Sequence, residues 1–315
     1  MSAQVLQVAE VEALSPLVTR FRFVHPEGEA LPLFSGGAHV VVEMPDGEVL
    51  RRNAYSLISD PLDGSGYEIA VRRDEAGRGG SRFMHTQVAV GDLLRVGAPV
   101  NLFALDLRAR RHVLIAGGIG ITPFLAQIRQ LIRLQLPFEL HYAVRSRIEA
   151  AAARLLPDLA QVHLHISEEG SRMDLGEILS GQPLGTHVYV CGPEGLVDGV
   201  LDTARCLGWP KGALHSEAFL APPPGEAFEV TLARSGRKIA VGPHQSLLEA
   251  LEAAEVEVPW LCRGGACGQC ETHVTSCSGH IEHHDHWLSD EARVRQSAIM
   301  PCVSRFRGAD LTIDR

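Results

Sequence analysis

The amino-acid sequence predicts three consecutive domains: an antiparallel β-barrel, an α/β domain built on a parallel sheet, and a small α+β domain. Short β-rich runs broken by Gly and Pro fill residues 1–105, strand and helix patterns alternate over residues 106–221, and a cysteine motif lies within residues 222–315. The length of 315 residues also exceeds what one hydrophobic core usually contains, so we expect several domains.

Residues 1–105 contain short segments typical of strands. Val18–Val24 and residues 39–44 are rich in β-branched and aromatic residues, and residues 67–71 alternate between apolar and polar. Asp46-Gly47 is a turn signal after the second of these runs. Short strands separated by turns predict an antiparallel barrel.

The middle of the chain alternates between strand and helix patterns. The predicted elements are a strand at 112–116, a helix at 123–134, a strand at 138–144, an Ala-rich helix at 149–156, and strands at 162–166 and 187–191. This alternation predicts a parallel sheet with helices on both faces.

The last segment begins with Pro222-Pro223-Pro224-Gly225, a composition typical of a semi-rigid linker. Residues 228–232 and 237–241 then predict a hairpin. Ser246 is a candidate cap for a helix that ends near Ala254.

Four cysteines form the most specific motif of the chain: Cys262-x4-Cys267-x2-Cys270, followed by Cys302. Thiolates in this order and spacing bind plant-type 2Fe–2S clusters. The small residues between the ligands let the backbone fold tightly and direct N–H groups at the sulfurs. A structural zinc site is the alternative, but zinc ribbons usually pair their ligands as two Cys-x2-Cys elements, and Cys302 stands alone. The motif predicts a carrier of single electrons.

Composition narrows the function classes. The formal net charge is −9, hydrophobic residues make up 45% of the chain, and no run approaches the roughly 18 apolar residues of a membrane span. We therefore expect no nucleic-acid partner, no membrane insertion and a cytoplasmic location. The remaining cysteines, Cys191, Cys206 and Cys277, fit a reducing compartment better than a disulfide framework.

Two Gly-rich turns follow predicted parallel strands. Residues 117–123 read Gly-Gly-Ile-Gly-Ile-Thr-Pro, which is not the Rossmann spacing, and residues 191–194 read Cys-Gly-Pro-Glu. Glycines at such turns let a pyrophosphate approach the backbone, and the N-terminus of a following helix favours its negative charge. Carboxyl ends of neighbouring parallel strands share one crevice, so the two turns predict a dinucleotide site.

The predicted barrel contains a second set of candidate binding residues. Residues 51–57 read Arg-Arg-Asn-Ala-Tyr-Ser-Leu, and residues 77–81 read Gly-Arg-Gly-Gly-Ser. Arg side chains and backbone N–H groups bind phosphate, and a Tyr face can stack on an aromatic ring. A solvated basic hairpin is the alternative. Because a one-electron cluster fed by a hydride donor needs a two-electron converter, a flavin is the expected occupant.

Taken in order, the Arg…Tyr-Ser-Leu segment, the two Gly-rich turns and the four-cysteine motif resemble the phthalate dioxygenase reductase family over essentially the whole chain. The resemblance implies an FMN-binding barrel at 1–105, an NAD(P)H-binding domain at 106–221 and a ferredoxin domain of the β-grasp type at 222–315. It also implies a monomeric reductase that passes electrons from NADH through FMN and a 2Fe–2S cluster to a terminal oxygenase, commonly of the Rieske type.

The resemblance also assigns site residues. Tyr55 would lie against the flavin ring, Thr122 in the nicotinamide site, and Phe219 over the other flavin face; the cluster ligands would be the four motif cysteines. The other cofactor-binding positions are Arg52, Ser56, Leu57, Val71, Arg72, Gly79, Gly80, Ser81, Gly117, Gly118, Arg145, Ser146, Cys191, Gly192 and Pro193. The family usually reads Arg-x-Tyr-Ser, and this chain has one residue more after Arg52. This leaves open whether Arg51 or Arg52 meets the phosphate, and whether the flavin is FMN or FAD.

Two other functions stay open at this point. One is a self-contained oxidoreductase that acts on a small organic substrate, and the other is a non-enzymatic ferredoxin or zinc-binding module fused to an inactive reductase. Arg145 also leaves open NADPH in place of NADH, because an Arg can contact a 2′-phosphate. The dense histidines of residues 279–286 are interpreted as a polar connection rather than a metal site. Acidic Glu257, Glu271 and Asp285 are expected to rim a docking patch around the cluster loop.

Overall fold

The structure is a computed structural model that describes residues 3–47, 49–156, 159, 161–219 and 224–315. The chain forms two compact units. The first comprises Met1–Val42, Tyr55–Arg73 and Gln87–Phe219, and the second comprises Glu43–Ala54, Asp74–Thr86 and Leu220–Arg315. Pro222 and Pro223 of the predicted linker lie outside the described residues. The boundaries drawn at residues 105 and 221 stay predictions.

An antiparallel sheet forms the N-terminal part of the fold. Its strands are β1 Gln4–Ser15, β2 Val18–Val24, β3 Ala38–Asp46, β4 Val49–Ser56, β5 Tyr67–Arg72, β6 Leu93–Val96 and β7 Val100–Asn101, and helix α1 is Gly80–Gln87. The strand order is β4-β3-β6-β1-β2-β5, with β7 paired to β3. A bridge from Leu57, just past β4, to Ile69 in β5 joins the two ends of this order. The sheet therefore closes into the predicted barrel.

Alternation places the barrel residues. In β2, Phe21 and Phe23 are fully buried, whereas the intervening Arg20 donates to Glu68 on β5 at 3.0 Å. Apolar side chains on one face and cross-strand ion pairs on the other are what a half-solvated antiparallel strand requires.

A five-stranded parallel sheet follows, in the order β10-β9-β8-β11-β12. Its strands are β8 Arg111–Gly117, β9 Phe138–Val144, β10 Val162–Ile166, β11 Thr186–Cys191 and β12 Leu214–Glu217, and its α-helices are α2 Thr122–Leu134, α3 Leu175–Leu179 and α4 Glu194–Cys206. The short 3₁₀ helices are Gly118–Ile121, Glu149–Leu155, Ser167–Glu169 and Lys211–Ala213. The chain order reverses between β8 and β11, where ligands of such sheets bind.

Helices cover both faces of this sheet, as predicted. Phe124 and Leu131 of α2 pack with Leu140 on one face, and Val200 of α4 packs with Val113 on the other. The helix predicted at 149–156 is present as the 3₁₀ helix Glu149–Leu155, and it stops one residue early because Leu156 is extended. Proline follows Leu156 in the sequence and disfavours the α conformation of the residue before it.

The C-terminal sheet is mixed, in the order β14-β13-β17-β15-β16. Its strands are β13 Phe228–Leu232, β14 Lys238–Val241, β15 Thr272–Glu282, β16 Ala298–Ile299 and β17 Arg305–Ile313, and its helices are α5 Leu247–Ala253 and α6 Asp290–Arg295. The antiparallel pairing of β13 with β14 confirms the predicted hairpin. The predicted cap is also confirmed, because the Ser246 hydroxyl accepts the Glu249 N–H and Glu249 completes a capping box. Among the described residues no helix is both long and apolar enough to cross a membrane.

Candidate functional site

The four motif cysteines come together in the second unit. Cys262, Cys270 and Cys302 are buried and Cys267 is half-buried. The Sγ atoms of Cys270 and Cys302 lie 3.3 Å apart, and the Gly264 N–H donates to Cys262 Sγ at 3.3 Å. The Cys267 thiol, with backbone N–H groups of the loop, lowers the pKa of Cys262 to about 5 despite its burial. Cys262 therefore favours the thiolate form that binds metal.

Glycines shape the loop that carries these ligands. Gly265 and Gly268 have φ angles of 73° and 74°, a backbone conformation that residues other than glycine rarely adopt. A Cβ at Gly268 would enter the ring of Trp287, and a Cβ at Gly265 would lie 2.8 Å from the Val303 side chain. The loop thus needs glycine at both positions to fold around its sulfurs, and the residues present fit a 2Fe–2S cluster.

A network of ion pairs anchors this loop to the rest of the second unit. Arg263, in the loop, donates through both Nη atoms to the Glu252 carboxylate at 2.7 and 2.8 Å. Arg52 Nη1 donates to Glu252 Oε2 at 2.8 Å, and Arg52 Nε donates to Glu43 at 2.9 Å. The side chain of Arg52, assigned to the flavin by resemblance, therefore pairs with two carboxylates of the second unit.

The neighbouring residue Arg51 lies beside the Gly-rich segment instead. A Cβ at Gly79 would lie 3.1 Å from the Arg51 guanidinium, and a Cβ at Gly80 would lie 2.5 Å from Asn53 Nδ2. Both glycines are buried, and Gly80 begins helix α1, whose N-terminal N–H groups favour an anion. Ser81 is half-buried and its hydroxyl accepts the Asp74 N–H at 3.1 Å. The arrangement fits a phosphate.

The predicted ring-side residues lie in the first unit. Tyr55 is half-buried, and Ser56, Leu57 and Val71 are buried. The Ser56 hydroxyl is buried and has no hydrogen-bond partner among the described residues. Because buried polar groups in proteins are nearly always paired, this hydroxyl fits a polar group of a bound ligand.

A cleft of about 470 Å³ opens in the first unit at the carboxyl edge of the parallel sheet. Five of the predicted site residues line it: Arg72, Gly117, Gly118, Arg145 and Pro193. Gly118 has a φ of 54° and nothing near its missing Cβ, so the backbone is open to a ligand there. The cleft lies where chain order reverses in the sheet, so it can hold a dinucleotide.

Other predicted site residues either support the two Gly-rich turns or lie outside the lining of the cleft. Thr122 is buried, and its hydroxyl donates to the Ile119 carbonyl at 3.0 Å. A Cβ at Gly120 would strike the backbone of Cys191 and Gly192, so the two Gly-rich turns can pack against each other only because residue 120 has no side chain. Ser146 is not among the residues that line the cleft, and Phe219 is 45% exposed.

Sequence reasoning missed several lining residues, among them Ile148, Glu149 and Ser167. Ser167 directly follows the strand predicted at 162–166, so the carboxyl-edge rule would have found it. Glu149 was assigned only to a helix. The expectation that Asp285 rims a docking patch is wrong, because its side chain is buried and accepts the N–H groups of Trp287 and Leu288.

Two protein-family profiles match the chain. The profile described as "Dimethylamine monooxygenase subunit DmmA-like, N-terminal domain" matches residues 99–214, and the "2Fe-2S iron-sulfur cluster binding domain" matches residues 230–307. The second match supports iron–sulfur over zinc at the four cysteines.

Relatives match the chain over its length. The "Heme-dependent oxidative N-demethylase beta subunit" of Ectopseudomonas mendocina is 48% identical over 98% of each chain. The "Carnitine monooxygenase reductase subunit" of Escherichia coli is 45% identical over 98% of this chain and 97% of the relative. The solved structure of phthalate dioxygenase reductase superposes with a TM-score of 0.90 at 35% identity, covering 99% of this chain and 98% of that one.

A nucleotide cleft and an iron–sulfur loop in one chain define an electron-transfer oxidoreductase of the flavin iron–sulfur class, because hydride electrons must be divided before a one-electron cluster accepts them. The relatives narrow the class further. The chain belongs to the phthalate dioxygenase reductase family, the reductase components of multicomponent oxygenases and demethylases. The family and the enzyme class predicted from the sequence are confirmed.

Proposed function

We propose that this chain is the reductase component of an N-demethylating oxygenase that acts on a small alkylated amine. The observation that carries the proposal is agreement among independent comparisons. The α/β segment matches a dimethylamine monooxygenase profile, and the relatives at 48% and 45% identity are named for N-demethylation and for carnitine, a quaternary ammonium compound that carries N-methyl groups. Both relatives match this chain over nearly their whole length, and both are named as subunits. This favours the role of a reductase component over that of a self-contained oxidoreductase.

We infer that FMN is the flavin. When bound, FMN accepts a hydride and passes on single electrons. Arg51, Asn53 and the Gly79-Gly80 turn would hold a phosphate, since both glycines lie against these two side chains. Arg51 donates to Asp46 through Nε at 2.7 Å, whereas Arg52 donates through both Nε and Nη1, to Glu43 and Glu252, so Arg51 is the better candidate. Ser56 would donate its hydroxyl, which has no partner in the described part of the chain, to the ring system.

The cleft favours NADH over NADPH. Arg145, which could meet a 2′-phosphate, pairs with Glu168 at 3.2 Å, and the carboxylate of Glu149 accepts the Arg145 N–H at 3.2 Å. Carboxylates suit a free ribose hydroxyl and repel a phosphate. Gly117 and Gly118 would leave room for the pyrophosphate, and Arg72 would add positive charge to the same cleft.

The cluster loop has the task of holding four thiolates and shielding them. Its N–H groups stabilise negative charge at Cys262, and the burial of three of the four cysteines excludes water. The cluster, when bound, carries one electron at a time to the partner. We propose that the protein works as a monomer in the cytoplasm. Its negative net charge fits a protein that has no membrane or nucleic-acid partner.

The relatives also suggest which metal centre the partner oxygenase contains. A Rieske centre stays the prediction from sequence. A haem centre is the other candidate, since the relative at 48% identity is named as a subunit of a haem-dependent demethylase.

Reconstitution tests the proposal. Mixed with an amine-demethylating terminal oxygenase, the chain should support NADH oxidation, O₂ consumption and formaldehyde release in equal amounts from an N-methylated amine. The matched primary amine, which has no methyl group to lose, should give no formaldehyde. The proposed substrate class would be overturned if the chain transferred electrons to an aromatic-ring oxygenase but to no amine-demethylating oxygenase.

A further inference from the structure

Strands β9 and β10 place a carboxylate and three imidazoles on one face of the parallel sheet. The strands pair in parallel with His163 opposite His141. Since alternate residues of a strand share a face, Glu139 and His141 on β9 lie on the same face as His163 and His165 on β10. These side chains are not among those that line the nucleotide cleft.

Three of the groups are close enough to share one cation. One potential ligand atom from each of Glu139, His141 and His163 lies within 4.8 Å of those of the other two. His141 Nε2 is 3.8 Å from Glu139 Oε1, and the rings of His141 and His163 are 4.8 Å apart. Bonds of about 2.0–2.1 Å in a tetrahedral zinc site place ligand atoms roughly 3.4 Å apart. Small side-chain rotations would close the difference.

Neighbouring groups already orient these side chains. Glu139 Oε2 accepts from Arg111 at 2.7 Å, and Glu139 Oε1 accepts from Gln182 at 2.8 Å. His141 Nδ1 is 3.2 Å from His165 Nε2, which leaves His141 Nε2 towards Glu139. Metal-binding His and carboxylate groups usually have such outer partners, which fix the ring and the carboxylate. Arg111 offsets the charge of Glu139, so the imidazoles would supply most of the affinity.

We propose that Glu139, His141 and His163 bind a zinc ion, with His165 positioning His141 through its other ring nitrogen and water completing the coordination. Nitrogen and oxygen ligands of this kind suit Zn²⁺. The ion would join β10, at the end of the sheet order, to β9, and would stabilise the folded state without entering the electron path.

The test uses tag-free holoprotein with its cluster intact, so that the motif cysteines are occupied. After equilibrium dialysis against ZnCl₂, elemental analysis should find about one zinc per chain beyond the iron, and zinc should raise the melting temperature. His163→Ala, at an exposed position, should abolish both effects, and His165→Ala should weaken zinc binding about tenfold.

The matched control is the other close histidine pair of the same sheet. His187 Nδ1 lies 3.0 Å from His215 Nε2, with the rings 5.2 Å apart, but among the described residues this pair belongs to no three-ligand group. His215→Ala should keep the zinc and the stabilisation. Absence of bound zinc in the wild type, retention of zinc by His163→Ala, or its loss from His215→Ala would each overturn the proposal.

Discussion

Ser56 shows how a single residue can indicate an occupant. Its hydroxyl is buried without a hydrogen-bond partner among the described residues. By contrast, the hydroxyl of buried Ser59 accepts the Glu68 N–H at 3.3 Å. An unpaired buried hydroxyl costs folding free energy, so a ligand that pairs with it gains affinity.

Ser56→Ala should therefore weaken FMN binding by about 1 kcal/mol, roughly fivefold, without lowering the free energy of unfolding of the flavin-free protein. FMN titration followed by fluorescence measures the first effect, and urea unfolding measures the second. Ser59→Ala, the control, should lose stability and keep its FMN affinity. Wild-type FMN affinity in Ser56→Ala would show that this hydroxyl does not face the flavin.

At the scale of elements, the turn from β8 to α2 decides access to the cleft. The strand ends at Gly117, Gly118 adopts a left-handed conformation, and Pro123 stands at the start of the helix. The open space at Gly118 contrasts with Gly120, whose missing Cβ would strike Cys191. One glycine is required for packing and the other leaves room for a ligand.

Gly118→Ala should raise the KM for NADH several-fold while FMN stays bound, because a methyl group enters the cleft. Left-handed strain of about 1 kcal/mol accompanies the change. Gly181→Ala matches that strain, since Gly181 has a φ of 68° and nothing near its Cβ, but Gly181 does not line the cleft. Steady-state kinetics of both variants with ferricyanide separates the two effects. An equal KM in both would assign the turn a purely structural role.

At the scale of the whole molecule, the second unit combines segments distant in sequence. Glu252 joins Arg263 of the cluster loop to Arg52, which is 200 residues away. The Arg263 side chain is 4% exposed and that of Glu252 is 18% exposed, so these charges depend on each other. A buried ion pair is costly to break because one charge is left unpaired.

Glu252→Gln should lower the free energy of unfolding by about 2 kcal/mol. It should also slow cluster reduction, because the loop loses its support, while NADH still reduces the flavin at the wild-type rate. Stopped-flow absorbance at flavin and cluster wavelengths follows the two events. Glu257→Gln removes the same charge from an exposed position and should change neither. Unaltered stability and cluster reduction in Glu252→Gln would mean that the ion pairs do not support the loop.

The sequence by itself determined the features that short segments encode. Strand and helix periodicity, the two Gly-rich turns, the Ser246 cap and the cysteine spacing each depend on neighbours within a few residues, where local geometry is decisive. Even there, the helix predicted at 149–156 ends at Leu155, because the proline after Leu156 disfavours the helical conformation of Leu156.

Only the tertiary structure decided which side chains meet across long separations. The pairing of Arg52 with Glu252 depends on packing between distant segments, and so does the burial of Asp285. The grouping of Glu139 and His141 with His163 depends on which strands are neighbours and in what register. Local patterns do not specify register between strands, because it is fixed by burial and hydrogen bonding of the assembled sheet.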